Sequence, residues 1–336
     1  IVYGPLANQT TSVMYEGTPD YPDKDRLWAI IEKYKVTQFY TAPTAIRAFM
    51  KWGVEYPQAH DLSSIRVLGT VGEPINPEAW IWYQQNIGPV DAPIVDTWWQ
   101  TETGSIMISP LPGVTTTKPG TATNPMPGIE AAVVTMEGEP CGPDEKGIMV
   151  IKRPFPGLIA TLWGEKERYG TDYWSKIPGL YYTGDSAHID EDGYVWFAGR
   201  ADEIIKIADH RIGTVEVETA FLTNPAVAES GVIGRPDELR GEVISAFVVL
   251  KHGVEPTPEL KDELVATVRH ELGPVAVIGE INIVSMLPKT RSGKIMRRVL
   301  KAVTLDVEPG DITTIEDEGS VEDARHAWHQ MKAELG

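Results

Sequence analysis

The strongest constraint on the fold is a rhythm in residues 1–100, where short apolar runs that end in turns alternate with stretches of helical period. Leu27, Ile30, Ile31 and Tyr34 fall at i, i+3, i+4 and i+7, which places them on one face of a helix. Val36–Tyr40 then reads as a strand closed by Ala42-Pro43-Thr44, followed by a helix over Ala45–Trp52. Ile65–Val71 is a second apolar run, ended by Gly72-Glu73-Pro74. Asn76 is expected to cap a further helix with Pro77 at its first position. Pro93–Val95 leads into Asp96. Strands alternating with helices in this way predict an α/β layer.

From 104 to 200 the character changes. Gly and Pro are frequent and the apolar runs are short (Ala131–Thr135, Gly147–Ile151, Tyr194–Phe197), as in an antiparallel region rich in turns, with a barrel as one outcome. Residues 203–310 return to alternation. A helix is expected over Val215–Thr223, strands over Val227–Gly234 and Val243–Lys251, a helix over Glu259–Leu272 with Thr257 as cap and Pro258 first, and a strand over Ile281–Val284. Residues 289–301 hold six bases and no acid, whereas 305–323 hold eight acids and no base. A solvated face is the plain reading of each run, though the basic run opens in a Ser292-Gly293 turn.

Composition narrows the function. With 30 Lys+Arg against 48 Asp+Glu, the 336-residue chain has a net charge of −18, the opposite of a nucleic-acid binder's basic footprint. One cysteine, Cys141, excludes an intrachain disulfide and a Cys-rich zinc site. No apolar run reaches membrane-spanning length and no signal peptide is visible, so a cytoplasmic location without membrane or nucleic-acid partners is expected. The chain opens Ile1-Val2-Tyr3, without Met, inside sequence that reads as ordered; a fragment is the expectation. Neither G-x-G-x-x-G nor the P-loop pattern occurs, nor a G-x-S-x-G elbow. His326 and His329 are a weak metal pair, since only ordinary tail carboxylates accompany them.

What remains is four polar clusters at strand ends. Val71-Gly72-Glu73-Pro74 offers backbone groups and a carboxylate at a loop mouth, or is a plain turn. Asp96-Thr97-Trp98-Trp99-Gln100-Thr101-Glu102-Thr103-Gly104 combines hydroxyls suited to phosphate, a carboxylate suited to Mg²⁺ and two indoles, or is a surface strand with core tryptophans. Tyr182-Thr183-Gly184-Asp185, followed by Gly199-Arg200-Ala201-Asp202, supplies a carboxylate able to accept both ribose hydroxyls and an Arg able to grip phosphate, or is a hairpin with a surface ion pair. Lys289-Thr290-Arg291-Ser292-Gly293-Lys294 carries a lysine in a Gly turn, suited to a developing negative charge, or is a basic helix start.

In this order and spacing, the four clusters resemble the adenylate-forming acyl-CoA synthetases over roughly residues 1–305, together with Tyr40-Thr41-Ala42-Pro43-Thr44 and Pro288–Arg297. The resemblance implies an α/β layer (1–103) and a β-rich or barrel region (104–201) belonging to an incomplete large domain (1–201). A small α+β lid domain (203–310) follows beyond a hinge at Asp202, then an acidic tail with a terminal helix (311–336). ATP or AMP, Mg²⁺ and coenzyme A are the implied cofactors. Gly72, Glu73, Pro74, Asp96, Thr97 and Trp98 would line the adenine site, Gln100 and Thr101 would contact adenine and α-phosphate, and Asp185 would hold the ribose. Arg200 and Arg211 would reach ribose or phosphate, and Arg269 would serve coenzyme A. Mg²⁺ is implied at Glu102 and Val227. Val71 and Trp99 would close an acyl pocket small enough for acetate, with propionate as the alternative. Lys294, with Thr101 and Arg200, would act in catalysis, and a lysine acetyltransferase and deacetylase would be partners at Lys294.

Two departures stand out against the family pattern. Ala208-Asp209-His210-Arg211 replaces a Ser-Gly-His-Arg run, placing a side chain and a charge beside the implied coenzyme A path. Asn224 stands where a Mg²⁺-linked His is usual. The family's phosphate loop would lie before Ile1. A non-catalytic nucleotide- or coenzyme A-binding module is therefore a second reading. A glycan-binding scaffold, suggested by ten Trp, is a third.

Overall fold

The computed structural model describes residues 3–335 apart from Asp209, Glu238 and Ser292, with the side chains of Glu334 and Leu335 also left aside. The expectation about Asp209 therefore lies outside the described residues. The chain divides into two compact units, residues 1–70 with 77–95, and residues 71–76 with 96–336.

The first unit opens with a short helix α1 (Tyr3–Ala7), then α2 (Arg26–Tyr34), β1 (Gln38–Thr41), α3 (Pro43–Trp52), a single turn α4 (Glu55–Gln58), β2 (Val67–Thr70) and α5 (Pro77–Asn86). β3 (Ile94–Asp96) completes a three-stranded sheet in the order β1-β2-β3, with β1 and β2 parallel. Its core is aromatic: Trp28 meets Phe39 and Phe49 edge-on at ring separations of 5.7 and 5.0 Å. The buried Tyr83 hydroxyl donates to the Phe39 carbonyl at 3.1 Å, fastening α5 to the sheet. Asn76 does not cap α5 as expected, because its buried Oδ1 has no hydrogen-bond partner among the described residues.

In the second unit, β4 (Ala131–Val134), β5 (Gly147–Ile151), β6 (Tyr181–Ile189) and β7 (Val195–Arg200) form an antiparallel sheet in linear order, with α6 (Lys166–Tyr173) inserted before β6. Isolated bridges Trp98–Ile108, Ile108–Pro125 and Thr123–Val195 stitch the preceding loops to it. A 3₁₀ turn (Ala201–Glu203) leads into β8 (Ile205–Ile207), β9 (His210–Ile212), α7 (Thr214–Leu222), β10 (Val227–Asp237), β11 (Gly241–Leu250), α8 (Pro258–Leu272) and β12 (Ile278–Val284). β10 and β11 pair antiparallel, β12 lies parallel to β11, and β8 pairs β11 and β9. Thr257 caps α8 as its sequence suggests, accepting from the Leu260 amide at 3.2 Å.

Helices α9 (Arg297–Thr304) and α10 (Gly319–Leu335) close the chain. The acidic stretch is not simply a solvated face. Ile315, Val321, Ala324, Ala327, Trp328 and Met331 pack with Val299, Leu300 and Phe247 in one buried cluster, while Glu308, Asp311, Glu316 and Glu318 stay exposed. No helix of the described residues is long and apolar enough to cross a membrane.

Candidate functional site: a carboxylate held at the end of a hairpin

The site is built where β6 and β7 part. Asp185 faces Arg200 in the strand register, and its side chain is only 15% exposed. Its Oδ2 accepts from Trp98 Nε1 at 3.1 Å and from Gln100 Nε2 at 2.8 Å. Oδ1 lies 3.8 Å from Arg200 Nη1. Burial lifts the acid to about 6, against the opposing pull of Arg200, Trp98, Lys294 and Gln100. Arg200 in turn donates to the Thr183 carbonyl at 3.3 Å and to Asp202 Oδ1 at 3.1 Å. Gly184 makes this possible. It sits at φ +75°, and a Cβ there would come within 2.7 Å of the guanidinium, so only glycine combines that backbone with so close an Arg.

The Asp96–Gly104 run wraps the same carboxylate. Asp96 and Thr97 are buried at the end of β3. Trp98 stacks on Phe197 with centroids 5.0 Å apart and planes at 15°, fixing its indole N–H toward Asp185. Gln100 also donates to the Thr183 carbonyl at 2.7 Å. Thr101 is exposed at the start of a 3₁₀ turn. Trp99 is half-buried, and its Nε1 is buried without a partner among the described residues. Gly72 sits at φ +104° with open space beside it, and Val71 is half-buried. Pro74 is likewise half-buried, while the charge of Glu73 bears on Arg297.

Glu102 Oε1 accepts from the Tyr173 hydroxyl at 2.7 Å, and Tyr173 stacks on Tyr181 at 5.5 Å. Burial and this carboxylate push the Tyr173 phenol up to about 12, so it remains a donor at neutral pH. One carboxylate oxygen of Glu102 is thereby oriented, and a carboxylate is ligand chemistry that fits a hard cation such as Mg²⁺. Val227 is buried and apolar, so only its carbonyl oxygen has ligand chemistry. Among the described residues, no group of three or more His, Cys, Asp or Glu could hold a metal ion. His329 instead bonds Asp306 at 3.0 Å. Asn224 is occupied structurally: it donates to Glu263 Oε1 at 2.9 Å and Thr267 Oγ1 at 3.3 Å and accepts from the Ala226 amide at 2.9 Å.

Lys294 is exposed on a hairpin whose Lys289 and Ile295 are bridged, and its charge reaches Asp185. Asp202 is exposed in the turn after β7. Asp185, Trp98, Gln100 and Arg200 are thus brought together, and the Lys294 charge acts on Asp185. Arg211, exposed on β9, bears instead on Cys141. Arg269 is exposed in the last turn of α8. Neither Arg211 nor Arg269 bonds the Asp185 group among the described residues. Sequence reasoning missed Tyr173 and Tyr181, whose only signal was aromatic spacing around an unremarked polar helix.

The model of AMP-binding enzymes matches residues 1–161, and that of the AMP-binding enzyme C-terminal domain matches 216–294. The chain is 55% identical over 326 residues to the acetyl-coenzyme A synthetase of Chlorobaculum tepidum and 54% identical over 337 residues to that of Pyrobaculum aerophilum. These alignments cover 97% and 100% of this chain and 50% of each relative. The chain thus spans about half the length of the curated relatives it matches. Among solved structures, the anthranilate CoA ligase AuaEII in complex with anthranoyl-AMP aligns with a TM-score of 0.72 at 29% identity, covering 87% of this chain and 54% of that one. From both matched segments and the extent of identity, the chain belongs to the family of AMP-binding enzymes, with the C-terminal domain of that family included.

Proposed function

We propose that this chain carries the C-terminal share of an ATP-dependent acetate–CoA ligase. The observation that supports it most is the Asp185 carboxylate, oriented by Trp98 and Gln100 and facing Arg200. In this reading acetate attacks the α-phosphorus of ATP, expelling pyrophosphate and giving acetyl-AMP. The coenzyme A thiol then attacks the acyl carbonyl and AMP leaves. The nucleophile is the substrate's own oxygen, so the protein supplies alignment and charge neutralisation rather than an activated side chain. Asp185 holds the ribose hydroxyls, and Arg200 and Thr101 take phosphate. Gly72, Glu73 and Pro74 line the adenine, with Asp96 and Thr97 on its other side. Lys294 neutralises the leaving charge of the first step, and Arg211 and Arg269 serve phosphate and coenzyme A.

Bound at Glu102 and the Val227 carbonyl, Mg²⁺ would neutralise phosphate charge. Val71 and Trp99 form the acyl wall, which admits a methyl and, in the alternative reading, an ethyl group. Asp202 is the hinge that lets the small domain withdraw Lys294 between steps. The fold that goes with this reading is a β-rich or barrel region over residues 104–201. The exposed tip holding Lys294 suits a lysine acetyltransferase and deacetylase, and acetylation would remove the charge. The site is cytoplasmic in this reading. The relatives' shared name favours acetate over propionate.

Calorimetry on the chain with AMP tests the nucleotide part: micromolar binding that is lost on Arg200→Ala is expected, and unchanged binding refutes it. Acetate-dependent ATP–pyrophosphate exchange is expected from the full-length protein and little from residues 1–336 alone. Robust exchange from this chain alone would refute the shared-site reading.

A further inference from the structure

Arg297 is a charged side chain that the mechanism above does not use, yet it is only 9% exposed. Its Nε and Nη2 donate to both oxygens of Glu218 on α7, at 2.9 and 2.6 Å. Its Nη1 donates to Glu203 at 3.0 Å. Glu218 is itself 6% exposed and also accepts from the Val232 amide of β10 at 2.9 Å. Glu73 of the Gly72-Glu73-Pro74 loop adds its field. Breaking a buried, doubly bonded pair is costly, so Arg297 fixes the start of α9 against α7 and against the turn that carries Asp202 and Glu203.

Lys294 lies three residues before that anchor. Its hairpin is closed by the Thr290 amide on the Lys294 carbonyl at 2.9 Å and by the Met296 amide on the Pro288 carbonyl at 2.8 Å. On its outer side the Arg291 amide donates to Thr314 and the Glu316 amide to Lys289, at 3.1 and 2.8 Å. The base of this hairpin is therefore set by the Met296 amide, by the buried Arg297 and by the amide bonds to Thr314 and from Glu316 on its outer side.

We propose that Arg297, through Glu203 and Glu218, is the positioning residue for Lys294, fixing the base of the segment that carries it. The inference rests on the ligase reading for its kinetic consequence but not for its structural one. Arg297 touches no substrate; it acts through the rigidity of the segment it starts. Glu203 is the informative partner. At 24% side-chain exposure it is the accessible end of the cluster, and its loss leaves the Glu218 pair intact.

In the full-length protein, Glu203→Gln is expected to lower kcat for acetate-dependent ATP–pyrophosphate exchange about tenfold, the worth of one weakened charge-assisted bond. KM for ATP and thioester formation from synthetic acetyl-AMP and coenzyme A should stay within about twofold. On residues 1–336, the same substitution should speed hydrogen exchange at the Thr290 and Met296 amides while exchange in α8 stays constant. Equal losses in both half-reactions, or unchanged hairpin exchange, would overturn the positioning role. Absence of exchange activity in the wild type would instead overturn the ligase reading and leave the hairpin measurement standing. Arg297→Lys, which keeps the charge but cannot span both Glu residues, should reproduce the hairpin effect; protection equal to wild type would overturn the proposal even where Glu203→Gln folds poorly.

Discussion

Replacing Asp185 by Asn should make the ligand-free chain more stable and its nucleotide site worse. The carboxylate rises from a usual 3.8 to about 6, with burial as the largest cause. At about 1.4 kcal/mol per pH unit, holding it ionised at pH 7 costs the fold up to about 3 kcal/mol. Asn accepts the same bonds from Trp98 and Gln100 without the charge, although it loses the attraction of Arg200, so a gain of about 1–3 kcal/mol is expected. The sign also sets a pH dependence. Because the folded value lies above the unfolded one, the contribution is fully present below 3.8 and is lost as pH rises through about 6. Urea melts of the wild type should therefore show this part of the stability falling between pH 4 and pH 7, and Asp185→Asn should lack that component. Binding moves the other way. Ribose hydroxyls need the ionised acceptor, so wild-type AMP affinity should weaken as pH drops below about 6, by up to tenfold per unit. In the Asn variant, affinity at pH 7 should be about 10–100-fold lower, as expected for lost charge-assisted bonds. A variant less stable than wild type at pH 7 that still binds AMP normally would refute the reasoning.

The other predictions concern packing and orientation. Gly184→Ala meets both a left-handed backbone and the Arg200 guanidinium, and should cost about 1–3 kcal/mol in a denaturant melt while weakening AMP binding. Asn224→Ala strands the Ala226 amide and removes the tie from Asn224 to Glu263 and Thr267 of α8, so a loss of about 1–3 kcal/mol is expected from the melt, with hydrogen exchange in α8 rising. Tyr173→Phe removes the donor to Glu102; Mn²⁺ binding followed by electron paramagnetic resonance in the presence of ATP should weaken several-fold in the full-length protein, with little change in melting.

Local chemistry made much of the fold readable. The Thr257-Pro258 start of α8 was legible because a free threonine hydroxyl finds its amide within one turn. An Asn-Pro start at Asn76 looks equivalent in sequence, but there the side-chain oxygen is buried without a partner among the described residues, so tertiary surroundings overrule the local pattern. α6 escaped notice because Lys-Glu-Arg-Tyr-Gly-Thr-Asp-Tyr has no buried residue and so no apolar stripe to betray a helix. The chemistry of Asp185 was legible as a residue type and position, whereas its raised pKa comes from burial in the folded chain, opposed by Trp98 and Gln100 more than eighty positions away. Arg297 reads as one more base in a charged run, since nothing nearby announces that Glu203 and Glu218 enclose it.

The final residues have a further bearing on how this protein survives handling. Residues 312–316 lie along the outer edge of the Lys294 hairpin, through the Thr290–Ile315 bridge and the amides of Arg291 and Glu316. α10 seals an apolar surface containing Phe247 and Val299. Clipping the chain near Gly310 would strip that edge of its partner and bare the surface beneath. A row of unsatisfied amides and carbonyls beside exposed apolar side chains is a template for pairing with another molecule, so loss of this segment should appear first as aggregation.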